Sequence, residues 1–548
     1  MKRHSLRLTA FKLWGLALLA LAGPAAAQVQ LNTEAIAPPA DIPLQVRDGA
    51  IDLSLEEAVE LALRRNLGLV LQRYTRTRAR LDVDETLGAY DLLAGITGRA
   101  SDVTNPGATS FESSSTKQQS LNFSLDQLFP SGGLLSLGWT NSRSESAGDP
   151  VSPFYKSGLT FNLAQPLLRD RGAFATERQL LIAQNQSLVS NREFAEQVIV
   201  TLQLVVDTYW NLVESREQLR VAQESRALAQ QLHERNRIQV DVGTMAPLEL
   251  VQSEANIATN EEEIIRTQTL VGNAEDELRR LLTFPQGPMW EAAIRPTTTP
   301  EVEAPPIDVG ASIRAALEAR PEVQAQQLVI DLARREASYF RNQLLPSLDL
   351  TLNYGLGGSN VLDTGLIDPV TERPILSPSS YSSSLRQITG FDFDGWTAAL
   401  TLSYPLQNRA ARAASARADL DLASAETTLV QLEQQVTTEV RQAARQVNSA
   451  AKQIEAARAS ARFQERSLDA EKKKYENGMS SSFEITRIQQ DLTAAKSREV
   501  TAIIAYSTAL TQLQQATGQL LAKHNVVIDD PERPIRRWDF SLFGGRAQ

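Results

Sequence analysis

The chain has 548 residues, a formal net charge of −10, no cysteine and three histidines, His4, His233 and His524. These numbers exclude a disulfide framework, a thiolate nucleophile and a cysteine-ligated metal, and they leave no histidine cluster for a metal site or a catalytic triad. The negative charge speaks against nucleic acid as a partner, and the absence of any run of 18 or more apolar residues excludes a multi-span helical transporter.

Residues 1–27 read as a secretory signal peptide. Lys2, Arg3, Arg7 and Lys12 form a basic n-region, Leu13 to Ala22 a short apolar stretch, and Ala25-Ala26-Ala27 a cleavage site. The apolar stretch is about half the ~20 residues that span a bilayer. Cleavage between Ala27 and Gln28 would remove four basic residues and take the net charge from −10 to −14. No cysteine follows to carry a lipid, so the folded chain itself must hold the exported protein in place.

An extended segment, 28–51, leads into a chain that is written twice. The first repeat spans 52–284 and the second 309–521, with a Pro-rich linker at 285–308 and a tail at 522–548. Each repeat opens on a short amphipathic helix, 55–66 and 312–321. Leu159 to Leu167, with Gln165-Pro166-Leu167, corresponds to Leu400 to Leu406, with Tyr404-Pro405-Leu406. Gly243 before Leu248-Glu249-Leu250 corresponds to Gly478 before Phe483-Glu484-Ile485.

Six segments alternate apolar and polar residues. They begin near Leu92, Leu121, Leu135, Leu159, Leu348 and Trp396, and each runs about ten residues, the length of a tilted membrane strand. Trp139, Trp396 and Tyr404 lie near segment ends, where an interfacial aromatic girdle belongs. Loop lengths allow two counts. Long connections at about 104–119 and 143–156 around the short turn Pro130 to Gly133 fit four strands in the first repeat and two in the second, the latter joined by a long loop at about 359–395. Alternatively 120–142 is an extra hairpin and each repeat has two. Neither four nor six strands can close alone into a membrane barrel, so copies of the chain must share one.

From about 173 to 242 and from about 407 to 477 there is neither Pro nor Gly. Helices of that length reach roughly 105 Å at ~1.5 Å per residue, the scale of coiled coils. Val436/Val440, Ala443/Val447, Ala450/Ile454 and Ala457/Ala461 recur every seven residues with a four-three split, the pattern of a coiled-coil seam. Tyr209 and Trp210 read as wall packing, His233 as part of a solvated face.

In their order and duplication these features resemble the TolC family of outer-membrane efflux channels, from about 52 to 521. The carrying residues are the two helix openings, Leu345-Pro346-Ser347-Leu348, the two strand exits, Tyr209-Trp210, the two glycine turns and the ending Gly518-Gln519-Leu520-Leu521. The resemblance implies a mainly α protein with a membrane β-barrel. It would be a homotrimer with four strands per protomer, or six, giving a barrel of twelve or eighteen. Long coiled-coil helices would form a periplasmic tunnel below an outer membrane, in a diderm bacterium. It implies a periplasmic adaptor (membrane fusion) protein and a proton-driven (RND) or ATP-driven (ABC) inner-membrane pump as partners, with outer-membrane lipid around the barrel. In that family the glycine turns form the adaptor-docking tip, here Gly243, Thr244, Met245, Gly478, Met479 and Ser480. Carboxylates beyond the second turn close the tunnel, and the matching positions are Glu484, with Glu249 in the first repeat. Arg487 departs from the pattern, since a second carboxylate is common there. An i,i+3 Glu484–Arg487 pair would give an ion-paired gate with weaker cation preference than an acidic ring. Alternatively Arg487 points sideways into a neighbouring helix. Tails of this family wrap the middle of the tunnel.

The expected function is passive export as the outer component of a tripartite efflux or type I secretion system, with no enzyme activity, cofactor or metal. The alternatives are an exported coiled-coil structural or adhesive protein, and a substrate-specific porin with far more strand.

Overall fold

The computed structural model describes residues 46–106, 113–146, 152–300, 306–367, 374–378, 380–477 and 479–528. The expected signal peptide with its Ala27–Gln28 junction, Gly478 and the end of the tail lie outside the described residues.

Strands β1 (Val46–Arg47) and β2 (Ala50–Leu53) are joined by Asp48 and Gly49, both at positive φ (52° and 72°), the backbone that an Asp-Gly hairpin favours. Helix α1 (Leu55–Arg65) starts on a capping box: Ser54 Oγ accepts from Glu57 N, and Glu57 Oε2 accepts from Ser54 N at 2.8 Å. Asn66 ends it and caps α2 (Leu67–Leu87). Four antiparallel strands follow, β3 (Leu93–Pro106), β4 (Ser113–Leu128), β5 (Leu134–Ser146) and β6 (Phe154–Pro166). Then come α3 (Arg178–Asp241) and α4 (Leu248–Leu282).

The segment expected to be a linker carries β7 (Ala293–Pro296), which pairs in parallel with β2. Tyr209 of α3, fully buried, locks this junction: its hydroxyl donates to Leu53 O and accepts from Thr298 N, each at 3.0 Å. The second repeat follows the same order of helices but gives two strands to the sheet where the first gives four. Asp308 caps α5 (Val309–Ala319), Pro321 opens α6 (Pro321–Asn342), and β8 (Ser347–Ser359) follows. The stretch expected as one long loop contains a hairpin, β9 (Val361–Ile367) with β10 (Pro374–Pro378), and a helix, α7 (Tyr381–Gly390). Strand β11 (Asp394–Ser403) leads to α8 (Arg409–Glu476) and α9 (Ser482–Ala516). The long helices have 64 and 68 residues and their partners 35 each, so the duplication holds to within a turn.

The seven-residue seam packs as its spacing predicts. Val436, Val440, Ala443, Val447, Ala450 and Ile454 are buried in one cluster with Tyr506, Ala509 and Leu513 of α9 and with Ala316 and Val323 beneath. Alanine at two of these six positions, Ala443 and Ala450, lets the helices approach closely.

All six alternating segments enter a single sheet in the order β11-β8-β6-β5-β4-β3, every neighbour antiparallel. The count is therefore six, the larger of the two expected. The region 120–142 is no separate hairpin, because β4 and β5 pair through unbroken registers on both sides. The loop placed at about 104–119 is shorter, since β3 runs to Pro106 and β4 starts at Ser113.

Register decides the faces. Trp396, Tyr354, Phe161, Leu137, Leu125 and Ala94 lie opposite one another across all six strands. So do Leu402 with Leu348, and Leu356 with Leu159, Trp139, Phe123 and Ile96. The other face carries Thr397, Asn353, Asn162, Ser136 and Asp126 in one such row. Alternation thus yields one continuous apolar face and one polar face, the pattern of a barrel with lipid outside and water within. Strands β3 and β11 are the sheet's edges.

Candidate functional site at the paired helix turns

Both long helices reverse through the same backbone device. After α3, Gly243 adopts φ 74° and Thr244 N donates to Gln239 O at 2.9 Å. After α8, Met479 N donates to Lys474 O at 2.9 Å. Each is the six-to-one bond that closes a helix end, and in the first turn it closes on Gly243 in the left-handed region, which glycine occupies without strain. Pro247 holds helical φ and ψ immediately before α4, and Ser481 accepts from Glu484 N to cap α9.

The two turns touch. Ser482 Oγ donates to Glu249 Oε2 at 2.6 Å, joining the first repeat's acidic residue to the second repeat's turn. Met245 packs on a cluster of Leu232, Leu468, Tyr475, Ile485, Ile488 and Leu492. Gly243, Thr244 and Met479 are exposed. Ser480, half buried, donates to Glu471 Oε1 at 2.5 Å.

Glu484 and Arg487 form the expected i,i+3 ion pair, half exposed. The hydrogen bond to Glu484 raises the Arg487 pKa, so the cation is held more firmly.

Sequence reasoning missed a second carboxylate. Glu471 is buried, accepts from Ser480 and pairs with Lys474 Nζ at 2.9 Å. The Ser480 bond first, then Lys474, lower its pKa below the ordinary carboxylate range. Tyr475 was missed as well: its hydroxyl lies 2.7 Å from Asn236 Oδ1 and 2.9 Å from Gln239 Oε1, linking α8 to α3. The seven-residue repeat carries the signal, because Ala461, Leu468 and Tyr475 continue it to the turn. His233 is not on a solvated face. It is half buried, with Nδ1 2.8 Å from Ser253 Oγ of α4.

The arrangement binds four helices together at the two turns. It is a set of hydrogen-bonded helix reversals, ~100 Å of helix away from a sheet with one apolar face. That combination defines a membrane conduit, a strand-built wall in the bilayer continued by helices outside it. Comparison with known proteins agrees. The outer membrane efflux protein model matches residues 118–283 and 312–519. The chain belongs to this family: it is an outer-membrane efflux channel, passive, and not an enzyme. Curated proteins give no sequence match. Among solved structures, the chain is similar to the Campylobacter jejuni CmeC outer membrane channel (16% identity, TM-score 0.61, 89% of this chain and 90% of that one). It is also similar to the Vibrio cholerae outer membrane protein VceC (14%, 0.60, 85% and 96%). The open state of the Neisseria gonorrhoeae MtrE channel is a third neighbour (14%, 0.56, 88% and 94%). At these identities the likeness is one of fold.

Proposed function

We propose that three copies of the chain share one barrel of eighteen strands, six from each, and one helical tunnel that ends at the paired turns. The observation that carries this reading is the six-stranded sheet with an apolar face and two unpaired edges, β3 and β11. Open edges are not tolerated in hydrocarbon, and six strands are too few to close. Pairing β11 of one copy with β3 of the next removes every edge. An exported coiled-coil scaffold gives no reason for such a sheet.

The turn region would then lie at the periplasmic end. Gly243, Thr244 and Met479 supply an exposed surface for a periplasmic adaptor. Glu484 and Arg487, with Glu249 behind them, form the constriction. An inner-membrane pump supplies the energy, and opening is an outward movement of the helix pairs. The match of Glu484 to the family's carboxylate position and the exposure of Gly243, Thr244 and Met479 support this assignment.

The decisive measurement is the mass of the detergent-solubilised protein, corrected for bound detergent. A particle of three chains that retains an added adaptor is expected. A stable particle of one chain that binds no adaptor would defeat the reading.

A further inference from the structure

Helix α7 sits on the barrel wall on the side where no pore loop would be. Its buried residues, Ser383, Ser384, Gln387 and Ile388, face strands β6 and β8. Ser384 Oγ lies 3.2 Å from Ser157 Oγ, and both residues are wholly buried. Ser157 Oγ donates to Asn141 Oδ1 at 2.9 Å, and Tyr381 donates to the same oxygen at 2.8 Å. Ser359 N donates to Gln387 Oε1 at 2.8 Å.

Asn141, Ser157 and Gly358 lie opposite one another in the register. They are two positions beyond Trp139, Leu159 and Leu356, and so on the apolar face. A Cβ built on Gly358 would lie 2.0 Å from Ser384 O, so only glycine lets the helix seat there. The helix therefore lies on the outside of the wall, at the end remote from the tunnel. It shields a row of that face, Asn141 and Ser157, whose polar groups hydrocarbon could not satisfy.

Below α7 the apolar rows run from Leu348 to Leu356. Eight residue steps of ~3.4 Å on strands tilted ~40° give ~21 Å, close to the ~25 Å apolar band of such barrels. Leu352 and Phe161, in the middle of this band, are each 40% exposed, whereas Leu356 under the helix is 5% exposed. The outward side of α7 carries Ser382, Arg386 and Thr389, and exposed Phe391 and Phe393 follow it. Polar and cationic groups beside exposed aromatics suit a headgroup layer and not acyl chains.

We infer that α7 is an interfacial helix whose partner is lipid: it lies on the outer wall of the barrel in the headgroup layer of the outer leaflet, and leaves the lumen free. The inference rests on the barrel reading above.

The absence of native cysteine makes the test direct. Single variants Arg386→Cys and Thr389→Cys, each carrying a nitroxide, are reconstituted as full chains in vesicles containing a nickel-chelating headgroup lipid. Labels at Leu352→Cys (apolar face) and Thr351→Cys (polar face) report on the barrel. Strong relaxation enhancement by the headgroup nickel, several-fold above that at Thr351→Cys, is expected at both α7 positions, while Leu352→Cys responds to oxygen. Gly358→Val in the Thr389→Cys background should unseat the helix and reduce the headgroup signal, with the Leu352→Cys response unchanged. Labels on α7 that behave like Thr351→Cys, sensing only soluble nickel, would overturn the inference and leave the barrel standing. Equal behaviour of Leu352→Cys and Thr351→Cys would overturn the barrel reading and the inference with it.

Discussion

Asp207 of α3 is the residue most at odds with its surroundings. Burial pushes its pKa up to about 6, a hydrogen bond with Gln203 offsets only part of this, and Oδ1 is buried with no hydrogen-bond partner among the described residues. A carboxyl whose folded pKa exceeds its unfolded value binds its proton more tightly when folded. Its destabilising effect is absent below the unfolded pKa near 4 and grows as pH rises through 6. Asp207→Asn should therefore raise the thermal midpoint at pH 7.5 and have little effect at pH 4. The gain should be about 1–2 kcal/mol after discounting for residual solvent. A rise of equal size at both pH values would show that packing, not ionisation, is responsible.

Glu471 has the opposite sign. Its folded pKa is lowered, so what it adds to the turn is present at neutral pH and lost as the medium is acidified through that lowered value. At Arg487, reversing the charge breaks the pair with Glu484 and places two acidic groups together. If the pair lines the constriction, Arg487→Asp increases cation over anion permeability in planar-bilayer recordings. Unchanged selectivity removes Arg487 from the pore. The Glu484–Arg487 pairing was legible because i,i+3 spacing on a helix fixes proximity. The Ser480–Glu471 bond was not, since it crosses a chain reversal whose path no spacing specifies.

At the scale of elements, the helices are the best-determined part of the chain. Missing Pro and Gly fixed their lengths, and the four-three repeat fixed the face that α8 presents to α9. Ile454, 2% exposed, lies within that seam. Ile454→Ala should cost about 2–4 kcal/mol, seen as a lowered denaturation midpoint, because α8 is held along its length and cannot collapse onto the cavity. A loss below half a kcal/mol would mean that the helix shifts to fill it. Strands were legible by alternation, while their number turned on loops. Helix α7 and the β9–β10 hairpin escaped notice because a stretch rich in Ser, Gly and Pro carries no clear period. The linker's strand β7 escaped because four residues are too few to show one.

For the whole molecule, helix dominates: about two-thirds of the structure is helical. Circular dichroism of the outer-membrane-extracted protein should accordingly show deep helical minima. A strand-dominated spectrum would return the porin reading. The duplication explains the proportions. Each repeat contributes a helix pair of matching length and a set of strands, and the extra hairpin of the first repeat widens the wall without adding to the tunnel. Tunnel and barrel are therefore sized by separate parts of the chain. Residues from both repeats meet at the turns, where Ser482 donates to Glu249.

The sequence by itself determined the internal duplication, the length and seam of the long helices, the two faces of each strand and the type of residue at each turn. All of these follow from periodicity, which is local and needs no knowledge of what lies opposite. Only the tertiary structure decided that all six strands join one sheet, that Glu249 reaches Ser482, that Glu471 is buried and that α7 covers β6 and β8. These depend on which distant segments pair. Such pairing is selected by register, by the glycine at 358 that admits a helix backbone, and by hydrogen bonds between residues hundreds of positions apart, none of which leaves a period in the chain.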